Sequence, residues 1–284
     1  MDEIVVGVGI GGSASLRAVR WAAERAAYED ARLSIVHVVD EASLAGADDE
    51  MRRSATGLAE QRLAEASDVA QSVDDALEIE TSLLFGSPAE VFADISKQVS
   101  FLVVGTDWHG ETRANRRRVQ SLRIAAASSA PVAVVPDVDV SGRRGVAVGI
   151  DGSHASDRAI AFAVDEASRL GEPMVAVHAW DIVALTGGDY GYGAVPVLAT
   201  DDLERAADAV LEEALAPIVG SHPELDIERE VVAGDPVHVL AEAAERTRLL
   251  VVGSHGRGAL ARFLLGSVSH GVLARLETPT VVIR

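Results

Sequence analysis

The pattern most suited to chemistry lies near the carboxyl end, where the chain reads Gly253-x2-Gly256-x9-Gly266-Ser267. Glycines at such spacing let a backbone approach a ligand closely and turn its N–H groups outward, which is the chemistry of anion and phosphate binding. No Gly-Lys-Ser/Thr follows, so this is not a Walker loop. The apolar run Leu249-Leu250-Val251-Val252 before it suits a buried parallel strand. The stretch Val268–Leu276 after it suits a helix capped by Ser267. A strand, a glycine-rich loop and a helix start make an anion site, and the helix dipole contributes about 0.3–1 kcal/mol.

Other groups carry less. The eight histidines form no HExxH or similar cluster, so no metal ligands from protein side chains are proposed. His178, flanked by apolar residues, reads as a hydrogen-bonded core histidine, whereas His255 lies inside the loop. The run Gly7-Val8-Gly9-Ile10-Gly11-Gly12 fits the dinucleotide fingerprint, with Asp40 as its acidic partner. Asp40 stands well past the usual ~20-residue offset, and only Gly149 and Gly152 of the pattern recur in the second half. Those two point to strand-end packing rather than to NAD or FAD.

Composition narrows the classes. No apolar run approaches the ~20 residues of a membrane span, and Met1-Asp2-Glu3-Ile4 is not a basic leader, so a cytoplasmic protein is expected. Absence of cysteine removes disulfides and thiol catalysis. A net charge of −19 disfavours nucleic acid and anionic membrane as partners. Lys97 is the only lysine among 25 Lys+Arg, a bias that either a high-salt interior or a GC-rich genome produces.

The elements that must position the loop occur twice. Ile4–Ser13 echoes Gly145–Ser153, Leu33–Asp40 echoes Met174–Asp181, and Gly86-Ser87-Pro88 echoes Gly234-Asp235-Pro236. Leu102–Gly105 echoes Leu250–Gly253, and Pro131–Val135 echoes Pro279–Ile283. Such spaced echoes mean tandem domains, 1–137 and 143–284, joined by the polar stretch Pro136–Arg144. Each copy alternates β-rich runs with helical patterns: Ala14–Asp30 and Asp48–Asp74 in the first, Ala155–Leu170 and Asp201–Val219 in the second. This alternation predicts an α/β fold, with a doubly wound parallel sheet and helices on both faces.

The glycine spacing and the repeat together resemble the ATP-binding signature of the universal stress protein family, in its tandem-domain form. The resemblance implies a Rossmann-like, five-stranded sheet of order 3-2-1-4-5 in each copy, with ligand at the carboxyl ends of the first and fourth strands. It implies ATP in the second copy. Asp151 would contact the nucleoside and Ala179 line the adenine, while Gly253, His255, Gly256, Gly266, Ser267, Val268 and Ser269 gather around the phosphates. Ser153 would either touch the nucleotide or simply cap its helix. Mg²⁺ would arrive with the triphosphate. The resemblance also implies edge pairing of the last strands, Val132–Val135 and Thr280–Ile283, as a pseudo-dimer within the chain or in a homodimer.

The first copy departs from the signature. Trp108 stands at the place of Gly256, Arg118 at that of Gly266, Val119 at that of Ser267 and Gly11 at that of Asp151. An indole there blocks backbone approach to a phosphate, so the first copy is expected not to bind ATP in the family manner. Arg113, Arg116, Arg117, Arg118 and Arg123 cluster nearby, either as an anion site or as solvated surface charge. Ile182–Ala199, rich in Gly and Tyr, is either a lid or a plain connector. The expected function is nucleotide-dependent regulation in a stress response, without catalytic residues. The alternatives are a slow ATPase or adenylyl-handling enzyme, and a nucleotide-free scaffold.

Overall fold

A computed structural model of the chain describes residues 2–9, 12–106, 113–180, 200–256 and 265–284, the side chains of 113–118, 200 and 201 excepted. The first half runs β1 (Glu3–Gly7), α1 (Ser13–Glu29), β2 (Arg32–Asp40), α2 (Asp49–Gln71), β3 (Ile79–Gly86), α3 (Pro88–Ile95), β4 (Phe101–Thr106), α4 (Arg113–Ala127) and β5 (Val132–Pro136). A short 3₁₀ turn, Glu41–Leu44, follows β2. The second half runs β6 (Val146–Gly149), α5 (His154–Leu170), β7 (Met174–Trp180), α6 (Thr200–Ser221), β8 (Ile227–Ala233), α7 (Pro236–Arg246), β9 (Leu249–Gly253), α8 (Ser267–Arg275) and β10 (Thr280–Ile283).

The described strands lie in one ten-stranded sheet of order β3-β2-β1-β4-β5-β10-β9-β6-β7-β8. Within each half every pairing is parallel. The halves meet where β5 and β10 pair antiparallel, Val281 opposite Ala133 and Val282 opposite Val132. Both faces of the sheet are covered, which is why its central strands are apolar without alternation. Ile4, Val6, Val103 and Val251 face one hydrophobic layer with α1, α2, α5 and α6. Val5, Leu102, Val104 and Val252 face the other, with α3, α4, α7 and α8.

Side chains chosen for local reasons start and stop the helices. Asp48 accepts from Met51 N–H at 2.8 Å, and Asp235 accepts from His238 N–H at 3.0 Å with Pro236 as the next residue. Gly171, at φ 62°, closes α5 in the left-handed region.

The joint between halves is more than strand pairing. Arg25 of α1 and Glu166 of α5, 7% and 2% exposed, form a buried ion pair. The guanidinium lies 4.6 Å from the Phe101 ring centroid and 4.5 Å from that of Phe162. Those two rings, one from each half, stack at 5.7 Å. Arg169 adds a second cation to Glu166 at 2.8 Å. On the opposite face Arg284 donates to the carbonyls of Ala125 and Ala126 at the end of α4, where a cation complements the helix dipole. Removing Glu166 takes a carboxylate from both buried Arg25 and Arg169 and leaves Arg25 with Glu29 alongside it. Glu166→Ala is therefore expected to lose about 3–5 kcal/mol. The double variant Arg25→Met/Glu166→Leu should lose clearly less, as read from urea unfolding followed by circular dichroism.

Candidate functional site

The order of strands reverses between β6 and β9, leaving a crevice beyond their carboxyl ends. A cavity of about 530 Å³ opens there. Asp151, Ala179, Gly253, His255 and Gly256 line it from β6, β7 and the end of β9. Gly266, Ser267, Val268 and Ser269 line it from the start of α8. Nine of the ten residues expected from sequence thus share one cavity.

The tenth, Ser153, does not line it. Its hydroxyl accepts from Ser156 N–H at 3.3 Å, so it is the N-cap of α5, and its own N–H is held by Asp151 Oδ1 at 2.9 Å. Of the two roles left open for Ser153, the structure shows the cap, and its hydroxyl also lies 3.5 Å from His255 O.

The helix start also differs from expectation. Ser267 is the first residue of α8 and Gly266 is the N-cap, with no side-chain cap on the helix. Glycine has no side chain to offer, so the amides of the first turn lack an internal acceptor. Ser267 is exposed at the cavity and keeps its hydroxyl available. Ser269 does not: it is 2% exposed and donates to Ser254 O and Gly266 O at 3.1 Å each. The Gly266 N–H is likewise committed, donating to Ser254 O at 2.7 Å. The backbone donors left open at the cavity are thus those of the first turn of α8, rather than the Gly266 amide itself.

The three motif glycines have different tasks. A Cβ on Gly253 would stand 2.9 Å from Ala155 Cβ and 3.0 Å from its carbonyl carbon. The same is true of Gly105, where it would stand 2.6 Å from Ala14 O. This glycine recurs in both copies because the first turn of α1 or α5 packs on the strand end. Gly256 instead faces the cavity, and a Cβ there would meet Asp151 Oδ2 at 2.5 Å. At Gly266 a Cβ would come within 3.2 Å of Ser254 O. His255 Nδ1 lies 3.1 Å from Ser254 Oγ.

Sequence reading missed the apolar wall: Ile150, Val177, Pro236, Leu240 and Val252. Their apolar type signals core, and only the recurrent Gly-x-Pro before α3 and α7 hinted that this helix start borders a crevice. The dinucleotide reading of Gly7 fails on packing, since its Cβ would lie 2.7 Å from the Phe92 ring, as that of Gly149 would lie 3.2 Å from Leu240. His178 is buried with Nδ1 2.7 Å from Ile150 O, and His37 repeats the contact with Val8 O at 2.6 Å. Burial holds His37 below its ordinary value of 6.5.

Gly11, Trp108, Arg257–Leu264 and Ile182–Ala199 lie outside the described residues, as do the side chains of Arg113, Arg116, Arg117 and Arg118. Arg123 is exposed. Among the described residues no cluster of His, Asp and Glu could hold a metal, and no helix is long and apolar enough to cross a membrane.

A model of the universal stress protein family matches residues 1–136 and again 142–284. The chain belongs to the universal stress protein family. Universal stress protein Rv2005c of Mycobacterium tuberculosis is 33% identical, the match covering 99% of this chain and 96% of that one. A universal stress protein of Mycolicibacterium smegmatis is also 33% identical, over 98% and 96% of the two chains. The fold is that of a universal stress protein crystal structure from Archaeoglobus fulgidus, with TM-score 0.71 and 18% identity over 100% of this chain and 96% of that one. The tandem arrangement is thus shared along whole chains within this family.

Two outcomes separate packing glycines from ligand-facing ones. Gly105→Ala and Gly253→Ala are expected to destabilise the fold by about 1–3 kcal/mol in denaturant titrations, because backbone must move. Gly256→Ala should change stability much less, since the end of the Asp151 side chain can swing away. The second outcome concerns pH. The folded state binds its His37 proton less readily than the unfolded chain does. Its stability contribution is therefore complete above pH 6.5 and shrinks as pH falls from there through the lowered value. His37→Gln should flatten the thermal-unfolding midpoint over that window.

Proposed function

We propose that the second half binds an adenine nucleotide, with ATP and its accompanying Mg²⁺ as the working ligand, and that occupancy regulates rather than catalyses. The single observation that supports this most is the uncapped first turn of α8 opening into a cavity of about 530 Å³ beside Gly256. The residues present fit such a ligand. A cradle that a Cβ would fill stands beside a helix start, and an apolar wall of Ile150, Leu240 and Val252 suits a base. Ser267 Oγ and the first-turn amides would hold the phosphates; Asp151 would hold the nucleoside. The metal would be carried by the phosphates, since it needs oxygen ligands that they supply.

The regulatory reading rests on what lines the cavity. Asp151 and His255 are its only titratable side chains among the described residues. Asp151 Oδ1 is engaged by Ser153 N–H, and Ser254, whose Oγ lies 3.1 Å from His255 Nδ1, is 3% exposed and does not line the cavity. A role in the stress response follows from membership in the family. The edge that the resemblance assigns to dimerisation is used within the chain by β5 and β10, so a homodimer would have to form elsewhere.

ATP at 100 times its Kd should stabilise the protein by about 2.7 kcal/mol. Gly256→Trp and Gly266→Arg, which copy the first half, should abolish the shift in thermal unfolding. An unshifted wild type would overturn the reading, and sustained phosphate release lost in Gly256→Trp would favour the enzyme.

A further inference from the structure

A further cavity, of about 410 Å³, opens in the first half where β1, β2 and β3 begin, at the other end of the strands from the crevice. Its floor is the face of β2 and β3 that carries Ser34, Val36, Ser82 and Leu84. Its wall is the end of α3 and the turn after it, with Ile95, Gln98 and Val99. Three carboxylates line it, those of Glu3, Glu80 and Asp94, against the single guanidinium of Arg32. Arg32 spans the strand starts, 3.0 Å from Glu3 Oε2 and 3.6 Å from Glu80 Oε2. Its hydrogen bond to Glu3, then the charges of Glu3, Glu80 and Glu78, hold it above its ordinary value, which marks the local field as negative. Asp94 has Lys97 at 2.6 Å, an exposed pair that water screens.

The second half shows which side chain suits this place. Counting from the shared Gly-x-Pro, Gln98 corresponds to Arg246 and Ser82 to Glu230. Val177 stands beside Glu230 in the sheet as Val36 stands beside Ser82. The Arg246 guanidinium reaches from the end of α7 to that face and donates to both oxygens of Glu230, at 3.0 and 2.8 Å. Such a fork is a strong and directional contact. The first half has lost both partners, so no arginine comes down from α3. Its carboxylates remain: Glu80 stands for Glu228, Asp94 for Glu242, and Glu3 is added where the second half has Gly145. β3 is also an edge strand, with a free backbone side among the described strands. The opposite edge, β8, is guarded by Glu228-Arg229-Glu230, whereas β3 reads Thr81-Ser82-Leu83-Leu84-Phe85 with Phe85 exposed.

We propose that this groove docks a partner protein through one arginine on an extended segment that adds to the β3 edge. The guanidinium lies over Ser82 and pairs with Glu80, and its stem rests on Val36, Leu84 and Ile95. A second copy of this chain is a poor fit, because β8 would bring Glu228 and Glu230, and another β3 a second Glu80, to the same carboxylates. No residue of either crevice takes part, so nucleotide binding by the second half is neither required nor tested.

A blocked peptide of valines and threonines with one central arginine tests this, read by amide chemical shifts of the full chain at low ionic strength. The amides of β3 should move, and Glu80→Gln should weaken binding about tenfold, the loss of one charge-assisted contact. Glu80 is exposed, so that variant folds. The same peptide with citrulline in place of arginine should not bind. Ser82→Glu/Gln98→Arg, which rebuilds the pair of the second half, should fill the groove and abolish binding. No shift in β3, equal binding of the citrulline peptide, or indifference to Glu80→Gln overturns the proposal. Shifts in β3 that the chain alone shows on concentration, with a rise in sedimentation mass, assign the edge to a second copy and likewise overturn it.

Discussion

The carbonyl of Ser254 holds the crevice of the second half together. It accepts from Gly266 N–H and from Ser269 Oγ, while its own N–H is anchored to Ile283 O at 2.7 Å on β10. The start of α8 is thereby tied to the end of β9 across the loop between them. That tie fixes where the open first turn points, and so where an anion can lie. A polar backbone group this deep, on a residue 3% exposed, has to be paired, and here the pairing also builds the site.

The two halves show how one fold separates scaffold from ligand contact. Gly105 and Gly253 persist because a helix backbone touches them; Gly7 and Gly149 persist because a side chain of α3 or α7 does. The β1–α1 turn is braced by Arg62 from α2, whereas the turn after β6 is braced internally by Asp151 and Ser153. Each solution leaves a different charge beside its crevice.

A parallel sheet buried on both faces has two edges, and the antiparallel β5–β10 pairing removes one from each half. The Arg25 cluster and Arg284 then bridge the joint on opposite faces. Their partners lie far apart in sequence, and a charge is tolerated at those depths because aromatic rings, carboxylates and helix-end carbonyls surround it.

Sequence alone determined the tandem α/β plan, because the echoes and the apolar runs are local patterns set by strand and helix periods. It also pointed to the loop that borders the cavity at the β6 and β9 ends, because glycine spacing records where backbone comes close. Ser153 was ambiguous, since capping a helix and touching a ligand demand the same residue type. The tertiary structure decided that case, and it decided that Gly266 N–H and Ser269 Oγ are spent on Ser254 O. It decided the apolar wall of Ile150 and Leu240, and the Arg25–Glu166 joint. Hydrogen-bond partners and walls belong to residues brought together from distant elements, and no local pattern encodes which donor reaches which acceptor first.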